Sequence, residues 1–518
     1  MPSATMPAVE TPAAPRKRPS DPCTIIIFGA AGDLSKRKLM PSLFHLFRSE
    51  HLHPKTLIVG VDRVEITEPD FRTEVAKGQA RAPGYRTKML AKKKDWDDFT
   101  RQVFYFKGDV TQEASMQEFS AYLDALEASH QLPRRRIFYL SLPPAVFGNG
   151  LKCLEAVKLV GKPTRIDGQF ARVIIEKPFG RDLDSALKLN ALTHEILSEK
   201  ETFRIDHYLG KETVQNVLFF RFANAIFEPL WNHRYIEHVQ ITAAESLGLE
   251  NRAGYYETSG CMRDMIQNHI MQVLSLVAME PPVAFDAEAI RDEKVKVLKC
   301  LRPILPEQAN LESVRGQYGP GRIGRNEVCG YREEDGADPE SNTETFVALR
   351  AYIDNWRWAG TPFYLRSGKR LAKSDSEIVI TFRPTPHVMF KDLSAPPHPN
   401  QLILQVQPND GLALQFEAKV PGSDNAVKTV NMHFRYPEAF ADENPSAYER
   451  LLLDCVLGDQ TLFIRSDEVE AAWRFITPIL EGWAGAPPPK FPNYKAGTWG
   501  PAEAADWMAR DKREWHNE

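Results

Sequence analysis

The 518-residue sequence predicts an α/β domain with a doubly wound parallel sheet, followed by a larger α+β domain whose sheet is mostly antiparallel. Three observations carry this. The first 200 residues or so hold short, continuous apolar runs separated by helical patterns. Beyond them, strand-like runs follow one another with turn residues between. The chain is also too long for one ordinary core.

The first run is Thr24-Ile-Ile-Ile-Phe-Gly29, and Thr56–Val61, Val103–Phe106, Arg136–Leu142 and Arg172–Glu176 repeat its character. Runs this short, without polar alternation, fit strands buried on both faces. Leu39, Leu43, Leu46 and Phe47 share one helical face between two of them, as do Met116, Phe119, Leu123 and Leu126. Alternation of strand and helix gives a doubly wound layer. Strands are then expected at His238–Glu245, Thr345–Asp354, Glu377–Phe382, Leu402–Pro408, Gly411–Val420 and Lys428–Phe434. Val406-Gln-Pro-Asn-Asp-Gly411 reads as a hairpin connection. Two late helices follow, Ala447–Leu457 and Asp467–Leu480, the second opened by Ser466 as a cap with acids in its first turn. The domains expected are residues 23–205 for the first and 206–518 for the second.

Composition narrows the function. A content of 43% hydrophobic and 26% charged residues suits a globular chain with a large core. A net charge of −4 advertises no nucleic-acid partner, so any attraction for an anion must come from a local cluster of cations. The six cysteines are scattered, as reduced thiols of a cytoplasmic protein would be. No apolar run approaches the roughly 20 residues that span a membrane. Residues 1–22 contain Arg16-Lys17-Arg18 and no apolar stretch, and read as a disordered tail rather than a signal peptide.

Directly after the first strand stands Gly29-Ala30-Ala31-Gly32-Asp33-Leu34. Glycines at a strand-to-helix turn let a pyrophosphate approach backbone N–H groups, and the helix N-terminus adds partial positive charge. The second strand ends at Asp62-Arg63. An acid there suits the ribose hydroxyls of NAD, whereas an arginine suits the 2′-phosphate of NADP. Arg63 is the expected phosphate ligand, with secondary use of NAD left open by Asp62. Asp109 and Val110, after the third strand, are candidates for the adenine side.

Arg204-Ile-Asp206-His207-Tyr208-Leu-Gly-Lys211-Glu212 gathers titratable groups around one glycine. With a helix beginning near Gly210, His207, Tyr208 and Lys211 would cluster at its start and could hold an anion such as a sugar phosphate. A solvated charged loop is the alternative. Further on, His269 falls on the apolar stripe of Met262, Met265, Ile266 and Val273. It is either a satisfied core histidine or a partly buried general base. Asp264 lies five residues earlier, about 140° around an α-helix, so the two would line adjacent walls rather than share a face.

These strings resemble glucose-6-phosphate dehydrogenase. The resemblance rests on Gly29–Lys38, Glu176-Lys-Pro-Phe-Gly180, Arg204–Glu212, Arg263–His269, Arg291–Lys299, Gly316-Gln-Tyr318 and Leu365-Arg-Ser-Gly-Lys369, in order, from about residue 24 to residue 505. It implies a Rossmann domain and an α+β domain with a large antiparallel sheet. It also implies roles. His269 would remove the proton of the anomeric hydroxyl, and Asp206 would orient it and stabilise the imidazolium. His207, Tyr208 and Lys211 would hold the phosphate, and Glu245 and Asp264 the sugar hydroxyls. Lys177 would serve substrate and nicotinamide together, with Pro178 fixing its backbone. Lys369 would reach the substrate, and a second family lysine aligns with Ser374, which Lys373 could replace by a one-residue shift. No metal is implied, because the base and the oxidised pyridinium ring together accept proton and hydride.

The implied activity is oxidation of glucose 6-phosphate to 6-phosphogluconolactone with reduction of NADP to NADPH, by a cytoplasmic homodimer or homotetramer. Some family members carry a second, structural NADP, whose residues the sequence does not identify. A Rossmann oxidoreductase for another hexose or hexose phosphate is one alternative; acting on an unphosphorylated sugar, it would lack the His207/Tyr208/Lys211 cluster. A non-catalytic NADP-binding homologue would have lost the Asp206–His269 pair. Both features are present.

Overall fold

A computed structural model of the chain describes residues 20–81, 93–162, 169–250, 252–389, 397–423, 426–440 and 445–517. Residues 1–19 of the expected N-terminal tail lie outside them. The chain divides into two compact units. Unit 1 runs to Leu142 and adds Asn149–Ile174 and Leu452–Gly458; unit 2 comprises Pro143–Gly148, Ile175–Leu451 and the segment from Asp459 onward.

Unit 1 is built on β1 (Thr24–Phe28), β2 (Leu57–Asp62), β3 (Val103–Lys107), β4 (Arg135–Leu140) and β5 (Phe170–Ile175), side by side in the order β5-β4-β1-β2-β3. β1 is parallel to both β2 and β4, and β2 to β3. Every residue of β1 is buried, as its unbroken apolar run requires. Helix Met40–Arg48 buries Leu43 and Leu46, and helix Glu113–Ser129 buries Met116, Phe119 and Leu123. Inside the layer, Glu127 accepts from Thr24 Oγ1 at 2.9 Å and pairs with Arg136 at 2.6 Å, tying the second helix to β1 and β4. The chain steps from β1 outward to β3 and returns on the other side of β1 as β4. This reversal places a topological switch point at the end of β1, where the glycine turn begins.

Unit 2 holds β6 (Thr202–Ile205), β7 (Ile236–Ala244), β8 (Ser313–Gly316), β9 (Tyr318–Gly319), β10 (Gly321–Ile323), β11 (Asn326–Val328), β12 (Phe346–Tyr352), β13 (Pro362–Gly368), β14 (Asp375–Phe382), β15 (Gln401–Gln407), β16 (Gly411–Lys419), β17 (Val427–Arg435), β18 (Phe463–Ile464) and β19 (Tyr494–Lys495). Eight of them form one sheet in the order β17-β16-β15-β14-β7-β13-β12-β8. All neighbours are antiparallel except β7 and β13, which run parallel. The expected hairpin joins β15 to β16, with Leu404 opposite Leu412. The helical segment around Met262–Ile270 packs on β7, β12 and β13.

Two local expectations are corrected. β13, central to the sheet, was not anticipated as a strand. All seven of its residues are buried, yet Arg366 and Ser367 interrupt the apolar signal. The late helix starts at Ser466, whose neighbour Arg465 is the cap position; Arg465 N donates to Glu468 Oε1 at 3.0 Å. Ser466 is therefore the first helical residue and not the cap.

Candidate active site

Strand β6 is short and fully buried, and it ends by delivering Asp206. The carboxylate is 1% exposed. Its Oδ1 accepts from Tyr208 N at 2.8 Å and pairs with His269 Nδ1 at 2.6 Å. On the other side of the imidazole, Lys177 Nζ lies 2.9 Å from Nε2. An ammonium has no lone pair, so Nε2 is the acceptor, and the ring proton sits on Nδ1 facing Asp206.

The same lysine donates to Asp264 Oδ1 at 3.0 Å and to Asp264 O at 3.2 Å. Asp264 and His269 thus share one partner, and they lie nearer one face than the roughly 140° of an α-helix would give. The cause is that Met262–Ile270 is π-helical. Its i→i+5 bonding brings residues five apart to nearly the same face.

Burial, then the nearby charges, set the protonation states. Burial alone would raise the Asp206 pKa, but the His269 and His207 rings and the Tyr208 N–H outweigh it and hold it below the usual carboxylate range. Burial pushes His269 below the ordinary imidazole value; Asp206 opposes this and Lys177 adds to it. Burial likewise takes His207 well below it. For Lys177, burial is outweighed by Asp264, so the ammonium persists. Asp264 stays ionised because Lys177 and Lys369 offset its burial. The arrangement is a neutral base between a carboxylate and an ammonium.

Next to it, helix Glu212–Phe222 starts with Lys211 at the cap position, one residue beyond the expected Gly210. The Tyr208 ring stacks on His269 at 4.4 Å, and its hydroxyl meets Ser376 Oγ at 3.2 Å. The His207 ring is 4.5 Å from His269. Lys211 Nζ lies 3.7 Å over the Tyr208 ring and donates to Gln407 Oε1 at 2.6 Å. Burial lowers its pKa to about 8. Lys369 pairs with Glu245 at 2.6 Å, and Glu245, Gly248, Arg252, Tyr256, Asp264 and Lys369 line a cavity of about 120 Å³. Lys373 pairs with Asp375 at 2.8 Å, and Ser374 Oγ accepts from Ser246 N at 2.9 Å.

In unit 1, Gly29 has φ of 78°, and a Cβ there would sit 2.2 Å from Ser141 O. The turn is therefore one that only glycine fits, as close approach of a pyrophosphate also demands. Asp62 Oδ2 accepts from Ala31 N at 3.0 Å, so this carboxylate braces the glycine turn. Arg63 beside it is exposed. Asp109 is held below its usual range: burial is outweighed by hydrogen bonds from Thr111, with Arg63 contributing. Arg63 and Asp109 thus stand near each other at the ends of β2 and β3. Val110 is buried, at 5% exposure.

Two family models match end to end. The NAD binding domain of glucose-6-phosphate dehydrogenase covers residues 26–216, and its C-terminal domain residues 218–516. The chain belongs to the glucose-6-phosphate dehydrogenase family. It is 46% identical to the glucose-6-phosphate 1-dehydrogenase of Mycolicibacterium smegmatis over 504 residues, 96% of this chain and 98% of that one. The enzyme of Chlamydia pneumoniae is 45% identical over 501 residues, 96% of both chains. A solved glucose-6-phosphate dehydrogenase in complex with its substrate glucose 6-phosphate superposes with a TM-score of 0.84 at 36% identity, over 96% of this chain and 99% of that one. The Rossmann-like layer and the larger, mostly antiparallel domain are those of this family.

Beyond the family strings quoted from the sequence, the structure adds side chains that contact the cluster. Tyr255 Oη donates to Asp264 Oδ1 at 3.1 Å. Tyr448 stacks on His207 at 6.2 Å. Gln407 and Ser376 meet Lys211 and Tyr208 from the far strands β15 and β14. Each reaches the site through pairings 70 or more residues distant in sequence, or from a helix with no motif of its own, so no local pattern marked them. Asp206, His207 and His269 could offer three metal-ligand atoms within 4.8 Å of one another. A dication there would meet the Lys177 ammonium, which stands 2.9 Å from Nε2.

Proposed function

We propose that the chain oxidises glucose 6-phosphate at its anomeric carbon to 6-phosphogluconolactone, reducing NADP to NADPH, as the entry reaction of the oxidative pentose phosphate pathway. The observation that carries this is the line Asp206–His269–Lys177, set beside the cluster His207, Tyr208 and Lys211. The relatives named above, and the solved complex with glucose 6-phosphate, support the same substrate.

Lys211 and His207, with the Tyr208 ring beneath Lys211, hold the phosphate. Glu245 and Asp264 accept from sugar hydroxyls, and Lys369, paired with Glu245, donates beside them. The anomeric hydroxyl takes the place of the Lys177 ammonium at His269 Nε2, and Nε2 receives its proton. Asp206 stabilises the resulting imidazolium through Nδ1–H, as ion pairs of this kind do. Lys177, displaced from the ring, stays anchored on Asp264 and donates to the sugar oxygen. Bound NADP supplies the hydride acceptor. Gly29, Ala30, Ala31, Gly32, Asp33 and Leu34 would hold its pyrophosphate with first-turn helix N–H groups. Arg63 would hold its 2′-phosphate, Asp109 and Val110 the adenine side, and Lys177 the nicotinamide end. NADP is the main coenzyme; Asp62, bonded to Ala31 N, is committed to the turn and leaves little for the ribose of NAD.

Unit 1 is the coenzyme-binding part and unit 2 the substrate part. Among the described residues no helix is long and apolar enough to cross a membrane. The reading extends to a cytoplasmic homodimer or homotetramer, because a wide sheet with β17 as an edge strand offers an interface. NADPH formation, followed by absorbance with glucose 6-phosphate and then with glucose, tests the activity. Reduction with the phosphorylated sugar and little with glucose is expected; equal rates, or none, would refute it.

A further inference from the structure

The turn that carries Lys369 is held in place by a segment more than 120 residues further along the chain. Lys369 directly follows β13, and Arg370 after it has φ of 53°, in the left-handed region that side chains rarely adopt. Such a conformation persists only where surrounding bonds over-determine it. The bonds can be counted. Lys369 N donates to Thr345 O at 2.9 Å, Arg370 N to Leu247 O at 3.2 Å and Leu371 N to Glu245 O at 3.0 Å. The carbonyls face the other way, toward the segment around β19. Tyr494 Oη donates to Lys369 O at 2.8 Å, and Gly497 N donates to Arg370 O at 2.7 Å. Tyr494 is 6% exposed, and its oxygen also meets Thr345 Oγ1 at 2.9 Å. β19 is itself fixed, pairing parallel with β9.

Among the described residues, the partners of this turn's backbone are main chain except for the Tyr494 hydroxyl on the carbonyl of Lys369. We infer that Tyr494 is a positioning residue for the substrate, acting through Lys369. Its hydroxyl holds a left-handed turn so that the Lys369 ammonium stays against Glu245, at the wall where the sugar is read. The inference rests on the proposed role of Lys369 in substrate binding. It assigns to the segment Tyr494–Gly497 an effect on sugar-phosphate affinity that leaves proton transfer and the coenzyme alone.

The test is a double-mutant cycle on the full chain, with Tyr494→Phe, Lys369→Met and both together. KM for glucose 6-phosphate, KM for NADP and kcat are measured for each. Loss of one hydrogen bond to a buried carbonyl predicts that Tyr494→Phe raises KM for glucose 6-phosphate about three- to tenfold, with kcat and KM for NADP within about twofold of the parent. The double variant should match Lys369→Met alone, since the tyrosine acts only through that lysine. If Lys369→Met raises KM and Tyr494→Phe does not, the inference fails and the lysine's role stands. If the two effects multiply in the double variant, the tyrosine acts by another route and the inference again fails. If Lys369→Met leaves KM unchanged, the role of the lysine falls and the inference falls with it. If Tyr494→Phe lowers kcat and both affinities in parallel, its role is general to the fold, which also overturns it.

Discussion

Lys177 donates to His269: Nζ stands 2.9 Å from Nε2, the ring nitrogen whose lone pair has to take the substrate proton. The cation therefore lowers the imidazole pKa directly, in addition to the lowering by burial. A base is active when deprotonated, so kcat/KM should hold at neutral pH and fall only as pH drops below the ordinary imidazole range. Lys177→Met removes the neighbouring positive charge. The acid limb of the kcat/KM profile should then move to higher pH, alongside a loss of rate. An acid limb that stays in place would show that Lys177 does not tune the base.

His269→Asn keeps a hydrogen-bonding side chain but removes the base. Turnover should fall by about 10²- to 10⁴-fold, the usual contribution of a general base, with KM for glucose 6-phosphate nearly unchanged. Steady-state kinetics with saturating NADP measures both. Retained turnover would assign the proton to another group.

How much of this was legible in the sequence depends on how local each signal is. β1 to β5 were readable because strands buried on both faces need unbroken apolar runs, and the flanking helices carry their stripes at regular period. β13 was not, because its buried Arg366 and Ser367 find partners in Thr242, Ala243 and the C-terminal residues His516 and Asn517, which no window around β13 contains. The Asp206–His269 pair was expected only through the family strings, and the structure supplies its geometry. The angle between Asp264 and His269 was set at about 140° by a period of 3.6, whereas the segment is π-helical and brings residues five apart closer to one face. Tyr255, Tyr448 and Tyr494 stand outside every quoted string and reach the site through tertiary contacts alone.

Arg63 and Asp62 separate two jobs at the end of β2. Asp62 bonds Ala31 N, whereas Arg63 is exposed. Arg63→Ala should therefore weaken NADP far more than NAD, by about tenfold or more, since a charge-assisted contact to phosphate is worth about 1.5–3 kcal/mol. KM values with each coenzyme check this. Equal loss for both would mean that Arg63 does not read the 2′-phosphate.

Gly29 tests the coenzyme turn from the backbone side. At φ of 78°, with Ser141 O only 2.2 Å from a virtual Cβ, the position admits no side chain. Gly29→Ala should cost about 1–3 kcal/mol from the left-handed backbone alone and more from the clash. Urea denaturation should show the lower stability, and KM for NADP should rise while dissociation of glucose 6-phosphate, measured without coenzyme, stays near the parent value. An unaltered KM for NADP would separate the turn from coenzyme binding.

Lys211 gives the sugar-phosphate site its own pH dependence. Burial lowers its pKa to about 8, with Asp206, Asp410 and Glu245 only partly offsetting the effect. The sign follows from which form binds. Below that value the ammonium is present and attracts phosphate; above it the amine is neutral and the attraction is lost. Substrate phosphate keeps its full charge throughout, since its second pKa is near 6. KM for glucose 6-phosphate should thus be flat from pH 7 to about 8 and rise above it, by up to about tenfold per pH unit if only the charged form binds. Lys211→Arg supplies a cation that does not titrate in this range, so its KM should start higher, from imperfect fit, and stay level with pH. KM measured from pH 7 to 10 for both proteins decides the matter. A rise that persists in Lys211→Arg would place the titrating group elsewhere.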